Sequence, residues 1–127
     1  MSYNSQLTRP VIYAANGMVA TGHPLASQAA LAILQQGGSA MDAAITASAV
    51  LCVVDPAASG VGGDAFYTYY DHQTGKLEGL NASGKSAQRL DPGQFKNGIP
   101  TYGALSPTVP GIVHAWGRSW RDIAHLV

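Results

Sequence analysis

Acyl transfer, hydrolysis and metal chemistry each need particular side chains in a restricted spacing, and this chain offers few of them. It has four histidines, His23, His72, His114 and His125, and a single cysteine, Cys52. A nucleophilic site needs a hydroxyl, thiol or amine, a base beside it and donors for an oxyanion. None of the histidines stands in a recognisable catalytic spacing. His72 falls in a polar turn and His114 along a helix, where a solvated or packed imidazole is the default; His23 is expected to fix the start of a helix. There is no His-x-x-x-His, no Cys-x-x-Cys and no carboxylate cluster, so no metal site and no cofactor is expected. Asp42, Asp55 and Asp64 are spread along one stretch, with helix capping or turn bonding as their expected roles. No catalytic residue is assigned within the chain.

A glycine-rich turn can also do chemistry by cradling phosphate. Ser59-Gly60-Val61-Gly62-Gly63 lacks the Lys-Ser/Thr or helix that such a loop requires. Asp64 and then Phe66-Tyr67-Thr68-Tyr69-Tyr70 follow instead, which is aromatic strand composition. The glycines are therefore read as a sharp turn into a strand, at positions where no Cβ fits.

The elements around this turn are legible. Ser39 is a good N-cap, and Ala40 to Val54 forms a helix apolar on every side, hence a buried core helix. Asp42 lies in its first turn, where a carboxylate favours the helix dipole. Before it, Pro24 opens a helix with Leu25, Ala29 and Ile33 in helical spacing, and Gly37-Gly38 closes it, giving an αα-hairpin of small residues. Val11 to Tyr13 and Met18 to Thr21 flank Asn16-Gly17, which predicts a short β-hairpin after a loose polar lead-in from Met1 to Pro10. Beyond the glycine turn, Ala65 to Tyr70 and Leu77 to Asn81 read as paired strands around Asp71 to Lys76. Arg89 to Pro110 is an extended connector rich in proline and glycine. A last helix opens at Pro110-Gly111, with Ile112, Val113, Trp116 and Trp120 on roughly one side.

Composition bounds the rest. The 127 residues carry a formal net charge of zero, only 11% are charged, 46% are hydrophobic and 15 are glycine. No basic patch suggests nucleic acid or an anionic membrane as a partner. So little charge on so apolar a chain predicts a surface that is normally covered, as in a segment lodged inside a larger molecule. Cys52 can form no internal disulfide and is read as a small buried hydrophobe. MSYNSQLTRP has no apolar leader region, so a cytoplasmic location with no membrane anchor is expected. No repeat, low-complexity tract or linker divides residues 1–127.

Three ordered blocks carry a resemblance: GMVATGHPLAS, ILQQGGSAMDAA and VVDPAASGVGGDAF. They are similar to the N-terminal part of the large subunit of γ-glutamyltranspeptidases, whose pattern is an A-x-x-HPLAS-like start, a GGNAxDAA helix and a P-x-x-SGxGGGxF turn. The resemblance runs from about Gly17 to about Trp116. It implies an α+β segment of an αββα sandwich, the N-terminal portion of an N-terminal-nucleophile hydrolase. The implied nucleophile is the N-terminal threonine of a small subunit, freed by autoproteolysis, with its own α-amino group as base. None of this chain's own threonines, Thr8, Thr21, Thr46, Thr68, Thr74, Thr101 and Thr108, is expected to replace it. Implied partners are the remainder of the large subunit and that threonine-bearing small subunit. The implied reaction cleaves a γ-glutamyl amide such as glutathione and transfers the acyl group to water, an amino acid or a peptide.

The resemblance also implies one substrate contact here. The family pattern Leu-Asp-x-Arg-Glu-x-Ala-Pro supplies an arginine for the α-carboxylate of glutamate, a job suited to a planar bidentate donor. The matching run begins at Leu80, so Ser83 stands where the arginine would be and Gly84 where the glutamate would be. Asn81, Ser83 and Lys85 are the expected substrate-binding residues; Lys85 either supplies the lost positive charge from two positions away or simply points to water. Asn81-Ala82-Ser83-Gly84-Lys85 looks more like the transpeptidase-like or acylase-like branch. Two alternatives follow: an amide acylase with an acyl group other than γ-glutamyl, or a truncated, non-catalytic structural or interaction module. The chain stops soon after Trp116, and it is expected to be a partial domain, inactive alone.

Overall fold

The computed structural model describes residues 11–123. The lead-in from Met1 to Pro10, with Thr8, and also His125 lie outside the described residues. The elements are α1 (Pro24–Gln35), α2 (Ala40–Val54), β1 (Ala65–Asp71), β2 (Lys76–Ala82) and α3 (Ile112–Asp122), with a short 3₁₀ turn at Pro92–Gln94 in the connector. No helix among the described residues is long and apolar enough to cross a membrane.

The αα-hairpin forms for local reasons. His23 caps α1, its Nδ1 accepting from Leu25 N at 3.2 Å, and Pro24 fills the first helical position. At the other end Gly37 adopts φ +89°, and a Cβ on Gly38 would press on Ile33. Ser39 and Asp42 then make a reciprocal capping box: Asp42 N donates to Ser39 Oγ at 3.2 Å, and Ser39 N to Asp42 Oδ2 at 2.9 Å. With alanine at the contact, Ala30 of α1 meets Ala43 and Ala47 of α2, and Val19, Ile33 and Leu34 close around them.

β1 and β2 pair antiparallel, from Ala65 opposite Ala82 to Asp71 opposite Lys76. The loop between them is set by Asp71, whose carboxylate accepts from Gln73 N at 2.9 Å and Thr74 Oγ1 at 2.6 Å, and by Gly75 at φ +69°. α2 and α3 pack on one face of this hairpin: Met41 and Ile123 meet Ile45, Tyr67 and Tyr69, and Trp116 Nε1 donates to Ser48 Oγ at 3.0 Å. The other face carries Phe66 and Tyr70 of β1 and Leu77 of β2, all exposed.

Four expectations need correction. Residues 11–21 form no hairpin: the chain only bends at Ala15–Asn16, Val11, Ile12 and Tyr13 stay exposed, and Val19 packs on the helix pair instead. A lone two-stranded hairpin with no sheet to join has little to hold it. α2 is not buried on all sides; Met41, Asp42, Ala43 and Ala47 are buried, but Val53 is 78% exposed. On α3 the buried line is Ile112, Ala115 and Ser119, continuing to Ile123, while Val113 and Trp120 face outward. Small residues win that face because α3 lies close against the strands and α2.

The fourth concerns glycine. Gly60 and Gly62 have open space where a Cβ would go, and neither has a positive φ. The positions where a Cβ would strike backbone are Gly84, against the Val109 carbonyl, and Gly111, against the Ala82 carbonyl. Gly111→Ala is therefore expected to lower unfolding stability by about 1–3 kcal/mol through overpacking. Gly62→Ala should leave it unchanged or raise it by about 0.4–1 kcal/mol by restricting the unfolded chain. Urea midpoints of the two variants check this, and equal losses at both positions would contradict it.

Candidate functional site

The hairpin ends in the run that the sequence singles out. Asn81 closes a small turn, its Oδ1 accepting from Ser83 N at 2.9 Å. Ser83 Oγ donates to Asp64 Oδ2 at 3.3 Å, and Gly84 N donates to Asp64 Oδ1 at 2.7 Å. From the other side Thr108 Oγ1 reaches both oxygens of the same carboxylate, at 2.9 and 3.0 Å. The backbone completes the knot. Val109 N donates to the Lys85 carbonyl at 3.0 Å, and the Gly63 carbonyl accepts from Gly111 N and Ile112 N, both at 3.0 Å. Three segments, around 63–64, 81–85 and 108–112, thus converge on Asp64.

Asp64 is half-buried, and its carboxyl is held below the ordinary aspartate range. The Gly84 amide is the main cause, then the Thr108 hydroxyl; partial burial opposes them, and Ser83 adds a weaker bond. No neighbouring cation contributes. Asp64 is thus a fixed negative charge satisfied by neutral donors.

Of the three expected substrate-binding residues, the structure brings Asn81 and Ser83 into one turn and leaves Lys85 beside it. All three are exposed. Asn81 and Ser83 spend their side chains on the loop itself, whereas among the described residues Lys85 is tied only through its carbonyl. Two apolar hollows lie elsewhere. One of about 390 Å³ runs between Met18–Thr21 and the helix pair, and one of about 120 Å³ lies between α2, β1 and α3. Neither is lined by Asn81, Ser83 or Lys85.

The remaining candidates stay apart. His23 caps α1, while His72 and His114 are exposed on the hairpin loop and on α3. Cys52 is half-buried, its Sγ 3.7 Å from Ser59 Oγ. Among the described residues no three His, Cys, Asp or Glu side chains converge.

Asp64 is the residue that sequence reasoning undervalued. A turn-bonding role was expected, yet its partners lie 19, 20 and 44 residues away. One signal for it exists in the pattern: Asp64 occupies the last glycine of SGxGGGxF, and Ser83-Gly84 replace Arg-Glu. Two departures that touch in space are more informative than either alone.

Comparison with known proteins bears on the family and the fold. Residues 26–126 match the family model described as gamma-glutamyltranspeptidase. The glutathione hydrolase-like YwrD proenzyme of Bacillus subtilis is 40% identical over 112 residues, covering 86% of this chain and 21% of that protein. Among solved structures, the cephalosporin acylase from Bacillus halodurans is 42% identical with a TM-score of 0.83, over 98% of this chain and 24% of the other. The Helicobacter pylori gamma-glutamyltranspeptidase is 29% identical with a TM-score of 0.82, over 92% of this chain and 35% of the other. The chain spans about a fifth or less of the length of the curated relatives it matches.

The geometry at Asp64 fixes a pH dependence. Its folded pKa lies below the unfolded one, so its stabilising contribution is complete above the ordinary aspartate value and is lost as pH falls through the depressed folded value. The amide proton of Gly84 is expected to report this titration by NMR, with a midpoint below the ordinary value of about 3.9. A midpoint above that value would contradict the bonding described, and Asp64→Asn should abolish the step.

Proposed function

Because the chain belongs to the gamma-glutamyltranspeptidase family, we propose that it forms the N-terminal part of the large subunit of an enzyme that cleaves a γ-glutamyl amide, such as glutathione. Its α+β architecture is that of a segment of the N-terminal-nucleophile hydrolase fold. The nucleophile is the N-terminal threonine of a small subunit. Its hydroxyl adds to the amide carbonyl while its α-amino group takes the proton, and the amine leaves with that proton. Water, or the amino group of an amino acid or peptide, then resolves the acyl ester.

The present chain contributes a wall of the acyl pocket through Asn81, Ser83 and Lys85. The observation that carries this reading is the state of the run matching the family's arginine motif. Its backbone is pinned at Gly84 and Lys85, while the Lys85 side chain is exposed and joins no ion pair among the described residues. Lys85 is thereby free to meet the α-carboxylate of the donor. Asn81 and Ser83 shape the turn that presents it. The outer face of the hairpin, with Phe66 and Tyr70, is covered by the remaining layers of the sandwich.

One observation favours a second reading, an amide acylase of the same family with an acyl group other than γ-glutamyl. Ser83 supplies no cation and donates its hydroxyl to Asp64 rather than outward. Donor comparison separates the two. The chain assembled with its threonine-bearing portion is assayed on γ-glutamyl-p-nitroanilide and on butyryl-p-nitroanilide, which lacks the α-amino and α-carboxylate groups. A higher kcat/KM on the first supports γ-glutamyl specificity, and a higher value on the second supports the acylase.

Lys85→Ala is expected to raise KM for the γ-glutamyl donor about tenfold, the loss of one charge-assisted contact, with kcat little changed. An unchanged KM would remove Lys85 from the pocket.

A further inference from the structure

We infer that Asp64 is a positioning residue for the acyl pocket: by clamping Ser83-Gly84 and Thr108 together it sets the direction in which Lys85 leaves the backbone. The inference rests on the reading of Lys85 as the carboxylate-binding residue and extends it to a side chain in another part of the sequence. Lysine has a long flexible stem, and where its ammonium can reach is decided first by where its Cα–Cβ bond points. In this loop that direction is fixed from both sides. The preceding amide, Gly84 N, is held by Asp64 Oδ1 at 2.7 Å, and the Lys85 carbonyl is held by Val109 N at 3.0 Å. Val109 is itself held in place through its neighbour Thr108, whose hydroxyl spans both Asp64 oxygens. One carboxylate therefore anchors the residue before Lys85 and the residue before Lys85's own partner.

The clamp is closely fitted. Gly84 has no room for a Cβ because the Val109 carbonyl lies against it, and the same holds for Gly111 against Ala82. A side chain at position 84 would open the gap that Asp64 closes. Asp64 also comes straight off the glycine turn at the start of β1, so its own backbone is fixed by the strand pairing of Ala65 with Ala82. The turn, the strand pair and the carboxylate thus form one rigid mount for a single free side chain.

The test uses the complete enzyme and both anilide donors, with Asp64→Ala, Asp64→Asn, Thr108→Val, Lys85→Ala and the Asp64→Ala/Lys85→Ala double variant. Asp64→Ala is expected to raise KM for the γ-glutamyl donor about tenfold, with kcat within about twofold and the butyryl donor unaffected. Asp64→Asn, whose Oδ1 can still accept from Gly84 N, should restore KM to within about threefold of the parent. Thr108→Val, which leaves the carboxylate in place, should move KM the same way by about threefold, and it carries the test if Asp64→Ala does not fold. In the double variant the KM should match that of Lys85→Ala alone, since both changes remove one function.

A merely structural role would lower kcat equally on both donors or add to the Lys85 effect, and either result would overturn the inference. If Lys85→Ala raises KM while the Asp64 and Thr108 variants do not, the positioning role alone fails. If Lys85→Ala leaves KM unchanged, the underlying reading of the pocket fails, and the positioning of Lys85 with it.

Discussion

One carboxylate holds the distant parts of this chain together. Asp64 takes donors from the end of the hairpin and from the start of the last helix, residues brought together only in the folded state. The stretch between them, Ser86 to Pro107, has one 3₁₀ turn as its regular structure and is mostly exposed. It has little packing of its own to set where it re-enters the fold. Closing such a connector carries an entropy cost that grows slowly with length, and contacts at its base must offset it. Here those contacts are the Asp64 bonds, the Val109–Lys85 backbone bond and the Gly63 carbonyl shared by Gly111 and Ile112. α3 depends on the same node, because its N-cap, Gly111, has no side chain with which to cap it.

The packing around that node is built from small side chains. Ala26, Ala30, Ala43, Ala47, Ala82 and Ala115 are buried, and among the described residues no large side chain is fully enclosed. Alanine brings backbones close but removes little apolar area from water, and hydrophobic stabilisation scales with that area. The large apolar groups are elsewhere: Phe66, Tyr70, Leu77, Val53 and Trp120 are each more than half exposed. Close-packed helices inside and bare aromatics outside are the pattern of an inner layer, whose outer faces are completed by other layers of a sandwich. The low charge of the sequence, 11% of residues, fits the same pattern, since lysine and glutamate serve a surface that faces water.

What could be read in the sequence is what is settled within a few residues. The Ser39–Asp42 capping box, the positive φ at Gly37 and the Asp71–Gly75 loop are decided by near neighbours, and α2 and both strands lie close to where the pattern put them. The γ-glutamyltranspeptidase blocks are equally local. Contacts between distant segments were not legible. Gly60 and Gly62 look more constrained than Gly84 and Gly111 because they are clustered, yet the constraint comes from carbonyls of Val109 and Ala82 that no local window contains. The α3 face failed for a related reason: Val113 and Trp120 satisfy helical spacing, but the surface that α3 meets leaves room for Ala115 and Ser119. Val11 to Tyr13 read as a strand, and a strand needs an edge to pair with.

The node also explains why the exchanges at positions 64, 83 and 84 belong together. Suppose an arginine replaced Ser83 while Asp64 stayed. Ser83 already has its side chain 3.3 Å from the carboxylate, so a guanidinium there would be drawn into an ion pair with Asp64. Its charge would then be spent inside the loop. A glutamate in place of Gly84 fares worse, because its Cβ would strike the Val109 carbonyl and its charge would face Asp64. With glycine at position 64 neither conflict arises, but the loop loses the acceptor for Gly84 N and Thr108 Oγ1. The loop can therefore be organised around an inward carboxylate with small neutral neighbours, or around an outward arginine without that carboxylate. This chain has the first arrangement, and under the proposed function a cation for the donor's carboxylate must stand outside the clamp, where Lys85 is.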